Sequence, residues 1–210
     1  MTVTATVADA TPERADSLRE RKKAATRMAL HEAALRLAME RGYADVTIEA
    51  IADAADVSRR TFSNYFANKE DALLYGDRRR SALLVENLRR RPASESPWEA
   101  LCNSAMELYR SEPWPDPDWL AQLRLLRQHP ALVTQQAGFL TRLEQDLADC
   151  LTERKGGPDP LTALVMAACF LAAIRSAINF WLGRPTSRPP GRPLSDVIRD
   201  ALDRVGAVGA

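Results

Sequence analysis

The stretch "SRRTFSNYF", residues 58–66, decides how this chain is read. Nine residues make a marginal helix in water by themselves, although Ser58 is a residue type that opens helices. At about 100° per residue, Phe62, Tyr65 and Phe66 share one face, because i+3 and i+4 neighbours stack. Arg60, Thr61, Ser63 and Asn64 point away from that face, with Arg59 on the flank. The outward surface is rich in hydrogen-bond donors and carries only positive formal charge. The DNA major groove admits one α-helix of this kind and offers base edges to Arg, Asn, Ser and Thr. A surface helix that happens to be basic fits the same nine residues.

The flanks narrow the choice. Thr47 opens a short helix with Ile48, Ile51, Ala52 and Ala55, and Asp56-Val57 makes a brief turn before Ser58. Residues 47–66 thus spell a helix-turn-helix. Taken together, "LHEAALRLAMERGYADVTIEAIADAADVSRRTFSNYFANKEDAL" (30–73) resembles the N-terminal domain of the TetR/AcrR family of transcriptional regulators. Three pieces carry the resemblance: "AALRLAMERGY" (33–43), "TIEAIADAADVS" (47–58) and "YFANKEDAL" (65–73).

The resemblance implies an all-α fold. An N-terminal three-helix DNA-binding domain precedes a larger helical domain for ligand binding and dimerisation, with about nine helices in total. By position, it assigns base contacts to Arg59, Arg60, Thr61, Ser63 and Asn64, with Ser58 at the start of the same helix. Tyr65, Lys69 and Thr47 match phosphate contacts, and an amide at the helix start after Thr47 suits phosphate as well. Arg19, Arg21 and Lys22, beside Lys23 and Arg27, match residues that touch the DNA backbone or minor groove; a solvated charge run fits them equally. Three positions depart from the family pattern. Asp56 replaces a turn Gly, Ser63 stands where Tyr is frequent, and Ala38 replaces a common Phe, with Met39 as a candidate to fill the gap. Asp tolerates the left-handed conformation better than most residues, so the turn is expected to survive.

Domain limits follow from the punctuation: an arm expected to be disordered at 1–17, a DNA-binding domain at 18–67, and a second domain at 68–210. A helix is expected from 18 to 41, ended by Gly42. Another, capped by Asn68, runs as one piece from 69 towards 91. "SPWE" (96–99) is a capping box with Pro at the first helical position. Further helices are expected at about 118–127, 130–154, 160–182 and 194–205, separated by the Pro-rich loops "SEPWPDPDW" (111–119) and "GRPTSRPPGRP" (183–193).

The totals exclude several classes. The chain has 210 residues, 46% hydrophobic and 27% charged, with a net charge of +1. Residues 1–92 hold 17 Lys and Arg against 14 Asp and Glu, and the remainder 12 against 14, a weak basic bias towards the N-terminal part. Cys102, Cys150 and Cys169 lack metal-ligand spacing and sit in apolar periodic segments, as core residues or as a redox-sensing thiol. Only His31 and His129 exist, without a nucleophile motif around either. No catalytic residue, metal or cofactor is expected. The start lacks the pattern of a signal peptide, and the longest wholly apolar run, 163–174, is short for a bilayer. A cytoplasmic protein without membrane partner is the expectation.

A single short recognition helix binds weakly, whereas two set one DNA turn apart by a two-fold dimer read a palindrome. Residues 160–182 and 194–205 resemble the helix pair through which family members dimerise; a core role within one subunit is the rival. The resemblance also implies an inducer pocket. Trp98, Met106, Tyr109, Trp114, Trp119, Phe139, Leu143, Phe170 and Trp181 are candidate walls, and His129, Arg175 and Asn179 the sparse polar groups. Arg175 interrupts an otherwise uncharged helix, and a buried charge there needs either an acid such as Glu144 or Asp146, or a ligand anion. The expected function is a repressor that binds double-stranded operator DNA as a homodimer and is released by a small lipophilic effector. A DNA-binding regulator or architectural factor without small-molecule control is the alternative.

Overall fold

A computed structural model of the chain describes residues 12–110, 115, 117–182 and 193–208. Among the described residues lie ten α-helices, one 3₁₀ turn and no strand. The chain divides into two units, Met1–Tyr75 and Gly76–Ala210.

In the first unit, α1 (Pro12–Arg41) presents Leu30, Ala34, Leu37 and Ala38 to the core, all fully or nearly fully buried. It starts earlier than expected. Pro suits the first helical position, where its missing N–H removes no bond, and the helix reaches back to Pro12; residues 1–11 of the expected arm lie outside the described residues. Gly42 ends α1 with φ 85°, donating from its N to the Ala38 carbonyl at 3.1 Å. Ala38 is buried, but Met39 is exposed and does not fill a gap beside it. One residue further along α1, its side chain is turned about 100° away from the core.

The 3₁₀ turn Tyr43–Asp45 leads to α2 (Ile48–Ala54), α3 (Arg59–Tyr65) and α4 (Lys69–Leu73). All three are short, and each has a side-chain cap. Thr47 Oγ1 accepts from Ala50 N at 3.1 Å, Ser58 Oγ from Thr61 N at 3.0 Å, and Asn68 Oδ1 from Asp71 N at 2.8 Å. A network ties the 3₁₀ turn to α4. Lys69 Nζ donates to the carbonyls of Tyr43 (2.9 Å) and Val46 (3.0 Å) and lies 4.3 Å from the Tyr43 ring centroid. The Tyr43 hydroxyl donates to Glu70. Burial, and then the neighbouring carboxylate, push that phenol up to about 12. His31, buried on α1, donates from Nδ1 to the Ala72 carbonyl at 2.8 Å, so it serves packing.

The single helix expected over 69–91 is two helices. α4 stops at Leu73, Leu74 adopts φ −91° and ψ 3°, and α5 (Tyr75–Arg90) begins anew. This break accounts for ten helices where nine were expected.

The second unit comprises the rest of α5 with α6 (Pro97–Arg110), α7 (Pro117–Gln128), α8 (Pro130–Thr152), α9 (Pro160–Leu182) and α10 (Leu194–Val208). α9 packs on α8 and α10. The core joins Leu84 and Leu88 of α5, Leu101 of α6, Leu147 and Leu151 of α8, Phe170 of α9, and Ile198 and Leu202 of α10. The capping box forms: Ser96 N donates to Glu99 Oε2 at 2.9 Å and Glu99 N to Ser96 Oγ at 3.3 Å. Arg154, after α8, donates to the carbonyls of Arg91, Pro92 and Glu95, pinning the α5–α6 connection. Two expected loops fall largely outside the described residues, at 111–114 with 116 and at 183–192, and Trp114 with them.

The cysteines separate by position. Cys150 is buried and Cys102 half-buried, but Cys169 is exposed rather than core, because it lies on the outward row of α9 with Leu161 and Val165. As a whole, the 23 residues of α9 are long and apolar enough to cross a membrane by length and composition; here the helix buries its inner face against α8 and α10.

Two stability measurements check this account. Asp56 sits at φ 54°, so Asp56→Gly should raise the unfolding free energy by up to about 1 kcal/mol and Asp56→Val lower it by about 1–2. Lys69→Met should cost about 2–3 kcal/mol in urea unfolding through two lost charge-assisted hydrogen bonds. An unchanged midpoint with weakened DNA binding would instead make Lys69 a phosphate contact only.

Candidate functional site

The helix-turn-helix is assembled from α2, a tight turn and α3. The left-handed Asp56 reverses the chain, and Val57 N donates back to the Ala52 carbonyl at 3.0 Å. Phe62 has no exposed surface and Phe66 very little; their rings are 5.8 Å apart. That anchorage turns the opposite face of α3 outward. Ser58, Arg59, Arg60, Ser63 and Asn64 are exposed, while Thr61 and Tyr65 are half-buried.

The exposed groups differ in what already engages them. Arg59 pairs with Glu49 of α2 at 3.0 Å. Ser58 and Thr61 hydroxyls bond each other at 2.8 Å, and Ser63 Oγ donates to the Arg59 carbonyl at 3.2 Å. Arg27 of α1 stands 5.5 Å over the Tyr65 ring, joining two of the expected backbone contacts. Thr47 is exposed and caps α2, whereas the Lys69 ammonium faces backbone carbonyls. Arg60 and Asn64 are left one turn apart and exposed, with no hydrogen bond or ion pair among the described residues. Arg19, Arg21 and Lys22 are exposed on α1.

In the second unit a cavity of about 600 Å³ opens among α5, α6, α7, α8 and α9, within the roughly 300–1,000 Å³ usual for ligand sites. Of the expected wall residues, Tyr109, Trp119, Phe139, Leu143, Arg175 and Asn179 line it. Trp98, Met106, Phe170, Trp181 and His129 do not. Trp98 and Phe170 meet edge to face at 6.4 Å, with Trp98 against Gly206 of α10, and Met106 is buried in the core. Large apolar residues were read as walls, but helical phase places Trp98, Met106 and Phe170 on the core side.

Arg175 is exposed on the cavity rather than buried, so the expected burial of its charge is corrected. Of the buried residues of α9, Phe170, Ala173 and Ala177 do not line the cavity, whereas Ile174, next to Arg175, does. Sequence reasoning missed the polar lining groups Asp77, Arg80 and Gln136. Arg80 Nη2 reaches Asp77 Oδ1 at 3.1 Å and Gln136 Nε2 donates to Asp77 Oδ2 at 3.1 Å. Glu144, named as a candidate acid for Arg175, lines the cavity as well. In "YGDRRRS" these charges look like an ordinary solvated helix face; only their i, i+3 spacing hinted at a pair. Burial holds the Tyr109 phenol well above its usual value, so it remains a neutral donor and acceptor.

Comparison with known proteins agrees with both units. A sequence profile described as bacterial regulatory proteins, tetR family, matches residues 30–75, and one described as the MftR C-terminal domain matches residues 95–209. The HTH-type transcriptional regulator TcmR of Streptomyces glaucescens is 30% identical over 172 residues, 78% of this chain and 76% of that protein. Among solved structures, SmeT, the repressor of the Stenotrophomonas maltophilia multidrug efflux pump SmeDEF, superposes with a TM-score of 0.58 at 20% identity, covering 87% of this chain and 89% of that one. A transcriptional regulator from Aquifex aeolicus VF5 gives 0.55 at 17% identity, covering 87% and 99%; both likenesses concern the fold. With a helix-turn-helix profile, a C-terminal profile and a regulator homologue over three quarters of its length, this chain belongs to the TetR family of transcriptional regulators.

Proposed function

We propose that the protein is a cytoplasmic repressor that binds a palindromic operator as a homodimer and is released by a small lipophilic effector. The observation that carries the DNA reading is α3. Its inner face is locked by Phe62, and Arg60 and Asn64 project from its outer face. Arg suits guanine and Asn suits adenine in the major groove. Arg59, Thr61 and Ser63 complete the base-facing set, while Tyr65, Thr47, Arg19, Arg21 and Lys22 supply backbone contacts, which position without specifying.

The dimer reading is supported by the outer row of α9. Leu161 is 70% exposed, Val165 52% and Phe180 53%. Large apolar side chains this open on a single helix mark an association surface. A second copy of the same row, related by a two-fold axis, is self-complementary. The cavity, with apolar walls and a minority of polar groups, supports effector control over a regulator without a ligand.

A gel-shift titration against the protein's upstream intergenic DNA tests the proposal. Wild type should bind tightly and lose affinity steeply with salt. Arg60→Ala and Asn64→Ala should each weaken it by about 1–3 kcal/mol and relax base preference, with the melting temperature unchanged. Failure to select any palindrome from random DNA would overturn the regulator reading. In sedimentation, a Leu161→Glu, Val165→Glu double variant should run as a monomer and lose most operator affinity, with its helical content intact; a persistent dimer would place the interface elsewhere.

A further inference from the structure

The charged groups on the cavity are of two kinds, and the difference specifies a ligand. Asp77 and Arg80 neutralise each other at 3.1 Å, and Gln136 occupies the second Asp77 oxygen. That corner is satisfied without a guest. Arg175 forms no ion pair or hydrogen bond among the described residues. It is the sole charged residue in the 23 of α9, and Asn179, one turn further on, lines the same cavity.

The cavity is graded along its walls. Leu84, Trp119 and Leu143 are buried, whereas Arg175, Asn179 and the apolar Val133 are exposed, so the donors of Arg175 and Asn179 sit on the open side of a cavity with buried apolar walls. A guanidinium presents a planar fork of N–H groups that matches carboxylate, sulfate or phosphate oxygens in pairs. Because Arg175 remains in contact with water, it meets an anion without first bearing the cost of a buried charge. The remaining charged lining group is Glu144 of α8, half-buried and an acceptor. It would anchor a cationic ligand instead, and Asn179 beside Arg175 weighs the mouth towards donors.

We propose that the effector is an anionic amphiphile. Its acidic group sits on Arg175, assisted by Asn179, and its apolar body lies against Trp119, Phe139 and Leu143. The inference rests on the cavity being the effector site.

Calorimetric titration of the full-length protein separates the two. Three compounds share a ten-carbon chain and differ only in headgroup: decanoate, decanol and decyltrimethylammonium, each below its micelle concentration. Decanoate should bind about tenfold more tightly than decanol, and the ammonium compound most weakly. Arg175→Gln should bring decanoate down to the level of decanol and leave decanol unchanged, and Arg175→Lys should recover part of the difference. Arg175 is exposed, so the variants should fold, and circular dichroism checks this. Equal binding of decanoate and decanol, or tightest binding of the ammonium compound, overturns the anion inference while the cavity reading stands. An equal loss for all three ligands in Arg175→Gln assigns the residue a structural role and also overturns it. Absence of binding by every compound overturns the cavity reading, and the inference with it.

Discussion

A seven-residue helix cannot hold itself together in water, since nucleation fixes several residues for the first hydrogen bond and few bonds follow. α3 exists because Phe62 is wholly buried and Phe66 nearly so, with Ser58 closing the amide end. Burying a Phe side chain contributes about 1.5–3 kcal/mol, and its removal from a packed core costs about 3–5. Two such anchors exceed what the local helix propensity of "RRTFSNY" can supply. That anchorage leaves Arg60 and Asn64 of the outward face exposed, with no hydrogen bond or ion pair among the described residues. The division of labour lies across the helix axis, not along it.

The same logic changes the meaning of the run "YFANKEDAL". Lys69 and Glu70 both act on the segment around Tyr43, one through carbonyls and the other through the phenol. They hold the 3₁₀ turn against α4, and α2 follows that turn directly. Of this pair, Lys69 was expected to contact DNA phosphate. Here the geometry gives both side chains work inside the domain: partly buried carbonyls need donors, and Lys69 provides two.

How much was legible in the sequence depended on whether local chemistry or helical phase decided the outcome. The face of α3, the caps at Thr47, Ser58, Asn68 and Ser96, and the turn at Asp56 were all readable, because each rests on residues within four positions. The break at Leu74 was hidden: "KEDALLYGDRRR" keeps helical composition throughout, and Gly76 alone hinted at weakness. α9 defeated the reading differently. Its residues are apolar on nearly every side, so no contrast in polarity marked which face meets the core, the cavity or the surface. Arg175 was placed inside for want of that contrast, and Phe170 was placed on the cavity for the same reason. The outward turn of Cys169 has the same origin.

Under the proposed function, release of DNA by a ligand sets an energetic demand on the second unit. A ligand that binds two states equally moves nothing, and shifting a population from 1:99 to 99:1 requires about 5.5 kcal/mol of preference. One buried polar group beside the cavity bears on that demand. Gln122 of α7 is 2% exposed, and neither of its side-chain polar atoms has a hydrogen-bond partner among the described residues, a condition that costs about 1–3 kcal/mol. Its neighbours Trp119 and Leu123 line the cavity. Any packing of α7 that gives this amide a partner recovers the cost. The reserve is smaller than the demand, so contacts that differ between the two states must supply the remainder. An apolar body alone makes nearly the same contacts wherever it is enclosed. In the proposed site, an acidic group set against the Arg175 guanidinium makes a directional contact that distinguishes the states more sharply.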